Sequence, residues 1–166
     1  MNSALRGMVV RSVNEEDVEE LYAARLLIEK GAVEAAFDAG RLDDTLRMKL
    51  ADSLKSHRQH ANGTSLDDLS KALVHDRAFH SALVAAARIP MISEAHARIV
   101  GQTHTVFVSI PGITSARSRS IRTLSTRSSQ AKKQIVAALK LHLERSRQNT
   151  LRQVKVLAQT MEPDLL

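Results

Sequence analysis

Two pairs of ionisable residues stand four apart in this chain, each inside an otherwise apolar helical pattern: Arg25 with Glu29, and Asp76 with His80. Four residues is slightly more than one helical turn, so each pair shares one face of its helix. Burying such groups costs several kcal/mol unless each is paired or ligated. The alternatives at this level are a polar cavity inside a bundle or an internal salt-bridge pair that holds helices in register. Asp-x3-His is also half of a metal site, since a carboxylate and an imidazole on one face reach one zinc, manganese or nickel ion. His96 lies on the inner stripe of its own segment between Ile92 and Ile99, and His104 lies nearer the edge; either would complete such a site.

The elements that must position these groups are helices. Glu15, Glu16 and Asp17 follow Asn14, which is suited to cap a helix whose apolar stripe runs through Val18, Leu21, Tyr22, Ile28, Ala32, Val33 and Ala36 to Gly40. A second helix is expected from Asp43 to about His60. A third is marked by Leu66, Leu69, Leu73, Leu83 and Ala87 and stopped by Arg88-Ile89-Pro90. Ile92, Ile99, Val106 and Ile110 mark a fourth, closed by Pro111-Gly112. The Ser- and Arg-rich stretch 114–129 reads as a short helix between flexible ends. Ala131, Ile135, Ala138 and Leu139 then mark one helix, and Leu143, Leu151, Val154, Leu157 and Ala158 a last one. The fold expected is all-α, an antiparallel bundle of six or seven helices.

Composition agrees. The 166 residues hold three Phe, one Tyr and no Trp, so Leu, Ile, Val and Ala must build the core. Six Gly and three Pro are too few for an all-β protein. Without cysteine there is neither a disulfide framework nor a thiolate metal site. No apolar run approaches the roughly 20 residues of a membrane span, and residues 1–10 carry no signal-peptide pattern, so a cytoplasmic protein is expected. The net charge of +6 is uneven, with no acidic residue between Glu94 and Glu144. A nucleic-acid-binding face there would give strongly salt-dependent binding. Against that, aromatics are not interleaved with the basic residues, and a bundle face offers no groove-reading helix. There is no phosphate loop, nucleophile elbow or His-Glu-x-x-His, so no enzyme is expected.

Three stretches together resemble the FadR-type branch of the GntR transcription regulators, in their C-terminal FCD domain. Leu21-Tyr22-Ala23-Ala24-Arg25-Leu26-Leu27-Ile28-Glu29-Lys30-Gly31-Ala32 resembles the first-helix pattern Leu-Tyr-x-x-Arg-x-x-(Leu/Ile)-Glu-x-x-Ala. Asp76-Arg77-Ala78-Phe79-His80-Ser81-Ala82-Leu83 resembles Asp-x-x-Phe-His-x-x-Leu, with Pro90 at the expected distance. Ile135-Val136-Ala137-Ala138-Leu139 resembles the core of the penultimate helix. The resemblance covers about residues 7–160. It implies a homodimer that binds a small, commonly carboxylate effector and controls operator DNA through a winged helix outside this chain. Residues 1–13 then correspond to a remnant wing strand and linker, and 14–162 to the effector-binding and dimerisation domain.

In metal-binding members the resemblance implies four ligands, namely the Asp-x3-His pair and two further histidines. Asp76 and His80 match the pair, whereas the remaining two positions align with Lys132 and Val154. The expectation is therefore that tight metal binding is lost and no cofactor is required, leaving at most an incomplete divalent-metal site at Asp76 and His80. Arg25, His80 and Lys132 would instead hold a small anion, with Asp76 orienting them and His96 nearby. Ile89 stands where the family has Asn before Pro90, which points away from the family's commonest ligand type. The alternative is a helical scaffold or partner-binding module. A regulator would show a polar pocket around Arg25, Asp76 and His80; a scaffold would show them tightly paired.

Overall fold

The computed structural model describes residues 13–61, 63, 65–109 and 129–161, and among these every regular element is a helix. Helix α1 spans Glu15–Asp38, α2 Asp44–His60, α3 Leu66–Ala85, α4 Pro90–Ser109 and α5 Ser129–Met161. The all-helical expectation holds. The expected helix in 114–128, the turn at Pro111-Gly112 and the lead-in before Val13 lie outside the described residues.

The starts of α1, α2 and α3 are each set by a side chain that satisfies free N–H groups of the first turn. Asn14 accepts from the Asp17 amide at 2.8 Å and Asp17 accepts in return from the Asn14 amide at 3.1 Å, a reciprocal capping box. Asp43 caps α2 through the Leu46 amide at 2.8 Å, and Ser65 caps α3 through the Asp68 amide at 3.0 Å. Pro90 opens α4, where its missing N–H costs nothing. Two left-handed residues make the sharp exits: Gly40 with φ 66° after α1, and Arg88 with φ 55° between α3 and α4. Arg88 has a Cβ, so this conformation costs it about 1–2 kcal/mol. Arg41 bridges the two turns by donating to the Ala87 carbonyl at 2.6 Å.

Helix α1 is the centre of the bundle, packing against α3, α4 and α5, while α2 lies along α3. It runs antiparallel to α5: Lys155 meets Glu15 at 3.2 Å, Arg147 pairs with Glu19, and Lys132 meets Asp38 at 2.7 Å. The shared core joins Val18, Leu21, Tyr22 and Val33 to Leu73, Phe79 and Leu83 of α3 and to Ile135, Leu139, Leu143 and Val154 of α5. Leu50 and Leu54 dock α2 on the same core. His57 is buried there with its Nδ1 donating to the Ala72 carbonyl at 2.9 Å, which fixes α2 on α3.

Two expectations change. The separate helices expected after Ala131 are one, because Lys140-Leu141-His142 holds neither Gly nor Pro and the buried stripe continues through Ile135, Leu139, Leu143, Thr150 and Val154. Leu66 is exposed rather than part of the α3 stripe; as the first residue of its helix it extends past the packed layer.

Candidate functional site

A buried carboxylate organises the interior. Glu29 lies on the α1 stripe with its side chain fully excluded from solvent, and three cations or imidazoles converge on it. Arg25 Nε donates to Oε1 at 2.9 Å, His96 Nε2 from α4 donates to Oε1 at 3.2 Å, and His80 Nδ1 from α3 donates to Oε2 at 2.5 Å. Helices α1, α3 and α4 are thus tied at one point. Burial by itself would raise the Glu29 pKa, but His80 and Arg25 outweigh it and hold the carboxyl well below its ordinary range.

Because Nδ1 of His80 is committed to Glu29, its Nε2 faces the other way, into a second cluster. There His80 Nε2 lies 3.0 Å from Nε2 of His142 on α5, and the Asp76 Oδ1 lies 3.7 Å from each of the two nitrogens. The two imidazoles are stacked, with centroids 5.0 Å apart. His142 is 13% and Asp76 28% exposed, so this cluster sits at the edge of the interior. Burial pulls the His80 pKa down, yet Glu29 and Asp76 overcome it and set it at about 9. His142 moves the opposite way, lowered by burial with the neighbouring His80 charge adding to it, against the pull of Asp76. His80 therefore carries the proton between the two nitrogens and His142 accepts it. Enclosure opposes the charge on Asp76 as well, but His80 and His142 keep it ionised.

Donors spaced about 3–3.7 Å apart are close to what metal–ligand bonds of roughly 2.0–2.2 Å require. Asp76, His80 and His142 converge as one such group. The Glu29–His80 contact is the outer carboxylate that typically orients a ligating histidine and raises its basicity. The donor set therefore fits a divalent ion.

Arg25 supplies a different feature. Its guanidinium is buried, stays charged because Glu29 outweighs the cost of burial, and lies over the Tyr22 ring at 5.4 Å. Tyr22 in turn donates to Thr150 at 3.1 Å, since the Thr150 hydroxyl proton goes to the Ser146 carbonyl. Yet Arg25 Nη2 has no hydrogen-bond acceptor among the described residues. A buried guanidinium nitrogen without an acceptor is a costly arrangement that a ligand oxygen would relieve.

Set beside the sequence expectations, Arg25, Asp76, His80 and His96 are brought together. Lys132 is not: its ammonium pairs with both carboxylate oxygens of Asp38 at 2.7 and 2.8 Å on the partly exposed side of the bundle. Val154 is buried in the apolar core. The residue that reaches the Asp76–His80 pair from α5 is His142, ten positions after Lys132. His142 is a residue the sequence expectations do not include; the two further positions they name, Lys132 and Val154, do not reach the pair. The His104 side chain lies outside the described residues.

The family model for the FCD domain matches residues 20–145, most of the chain and all three helices that converge on Glu29. The chain belongs to the FCD domain family. FCD domains form the C-terminal, ligand-sensing part of GntR/FadR-type regulators, and the family is regulatory rather than catalytic. No curated protein and no solved structure matches the chain. Among the described residues no helix is long and apolar enough to cross a membrane.

Proposed function

We propose that this FCD domain is a cytoplasmic effector sensor that binds a small carboxylate metabolite and thereby controls operator binding by a winged-helix domain. It acts as a homodimer and does no catalysis. The observation that carries the reading is Arg25 Nη2: a charged donor with no acceptor among the described residues, buried next to a convergent Asp76–His80–His142 group. The remaining polar groups are closely paired, as a scaffold's would be. A scaffold, however, has no use for an orphaned guanidinium nitrogen, whereas a carboxylate satisfies it. Asp76, His80 and His142 would hold a divalent metal, which supplies positive charge for the same anion. Glu29 holds His80 so that its Nε2 would face such an ion, and His96 keeps Glu29 in place.

The test is thermal-shift titration of the chain with acetate, lactate and succinate, with and without Zn2+. At least one carboxylate should raise the melting midpoint of the wild type. Arg25→Lys keeps the charge beside Glu29 but loses the planar fork, and should abolish that rise while still folding. Binding that survives unchanged in Arg25→Lys, or no response to any of the three under either condition, would overturn the reading.

A further inference from the structure

The outward face of α1 carries a projection and a recess one turn apart. Leu27 is 78% exposed, a full aliphatic side chain standing out from the middle of the central helix. Beside it a groove of about 510 Å³ runs between α1 and α5, walled by Ala23, Leu26 and Leu141, with Tyr22 at its buried floor. Leu141 on the α5 side is itself 50% exposed. One turn beyond Leu27, a Cβ added to Gly31 would meet nothing within 4 Å, so the surface is open there and a neighbouring backbone can come close.

We propose that this face is where two copies of the chain pair, α1 against α1, antiparallel about a two-fold axis. The proposal rests on the dimeric reading above and supplies its surface. Ala23 and Leu27 are four apart on one face, so a two-fold axis between them sets Leu27 of each copy against Ala23 of the other. Each leucine then enters the other copy's groove, and the projection and recess fill each other twice. The same register sets Glu20 of each copy against Lys30 of the other. Lys30, already 3.2 Å from Glu34 of its own helix, is then bracketed by two carboxylates. At the ends Glu16 faces Glu34, whose charge Lys30 offsets. Charges of this kind fix register more than they add affinity; the affinity comes from covering Leu27 and Leu141. The groove floor is also informative. Tyr22 faces the groove and carries the Arg25 guanidinium on its ring, so a partner seated here leans on the side chain beneath the anion-binding arginine.

Sedimentation equilibrium of the chain, from about 1 to 100 µM protomer, reads this directly. The wild type should sediment at twice 18.3 kDa. Leu27→Glu should sediment at the single-chain mass with unchanged helical circular dichroism, because Leu27 lies outside the core. Glu20→Lys should weaken association at least tenfold, and adding Lys30→Glu to the same chain should restore it. A wild type that is monomeric throughout overturns both the dimer and this surface. A wild type that dimerises while Leu27→Glu dimerises equally well overturns the surface alone and leaves the dimer standing. Failure of the Lys30→Glu addition to rescue Glu20→Lys overturns the register.

Discussion

The α2–α3 hairpin and the α1–α3–α5 interior both gather an aspartate with two histidines, and only in the interior do all three donors converge within reach of one ion among the described residues. In the hairpin, His60 and His75 stack at 6.0 Å with planes 9° apart, and Asp68 lies 3.2 Å from His60. Asp68 also accepts from the Ser65 hydroxyl at 2.6 Å while the Ser65 oxygen caps the helix, so its carboxylate is engaged in closing α3. That Ser65 bond, ahead of the one from His60, lowers its pKa. In the interior, Asp76, His80 and His142 come from two helices and aim at one point, with Glu29 behind His80 fixing which nitrogen faces it. What separates the clusters is enclosure and a second carboxylate, and residue type has little to do with it.

The strongest way to break this contrast is Glu29→Gln. Removing that charge leaves Arg25 buried without its counter-ion and His80 with Asp76 alone, which should cost about 3–5 kcal/mol. For a domain of this size that is a fall in melting midpoint of roughly 6–20 °C by calorimetry. Asp68→Asn in the exposed cluster should leave the midpoint within about 3 °C. Equal losses from the two substitutions would mean that burial does not distinguish the clusters.

Metal affinity sharpens the contrast at smaller effect. Zn2+ should stabilise the wild type, and His142→Ala should reduce its affinity on the order of 10–100-fold, measured by competition with a chromogenic chelator. His60→Ala should leave the affinity unchanged. If His60→Ala removes the tighter site and His142→Ala does not, the hairpin is the metal-binding cluster and the interior is only an ion-pair network.

Much of this was legible from residue order. Asn14, Gly40, Asp43 and Pro90 mark helix ends by local chemistry, and charged residues on the stripes of α1 and α3 reveal that polar groups lie inside. The place of His142 beside Asp76 and His80 is not legible in the same way. With two helices expected across 131–158, the family's remaining ligand positions fall at Lys132 and Val154. Read as one continuous helix, the stripe Ile135, Leu139, His142, Leu143 carries a histidine where an apolar residue belongs, the same signal that marks His80. Glu29 was visible as a partner of Arg25, but its role in gathering three helices needs the crossing of α1, α3 and α4. No local pattern contains that. The groove beside Leu27 was equally hidden, since periodicity cannot separate a covered stripe from an exposed one.

The smallest effect is on pH dependence, and its sign follows from the unequal histidines. His80 is raised to about 9 in the fold against an ordinary value of 6.5, so the folded protein holds a proton that the unfolded chain has released. Its contribution is complete below about pH 6.5 and is lost as pH rises through 9. His142 is lowered, so it favours the fold above its ordinary value and penalises it below, as the unfolded chain takes up a proton that the folded one does not. Glu29 and Asp76, both lowered, add a loss once pH falls through the ordinary carboxylate range. Metal-free protein should therefore be most stable near pH 6.5, with an alkaline decline on the order of 1–3 kcal/mol toward pH 9 in urea titrations. Saturating Zn2+ should flatten that decline, because the metal takes the place of the His80 proton and its affinity rises as pH rises. A metal-free protein equally stable at pH 6.5 and 9 would mean that His80 is neutral in the fold. Arg25 would then be the charged partner of Glu29, and the interior would differ from the hairpin in burial and in that ion pair but not in a charged histidine.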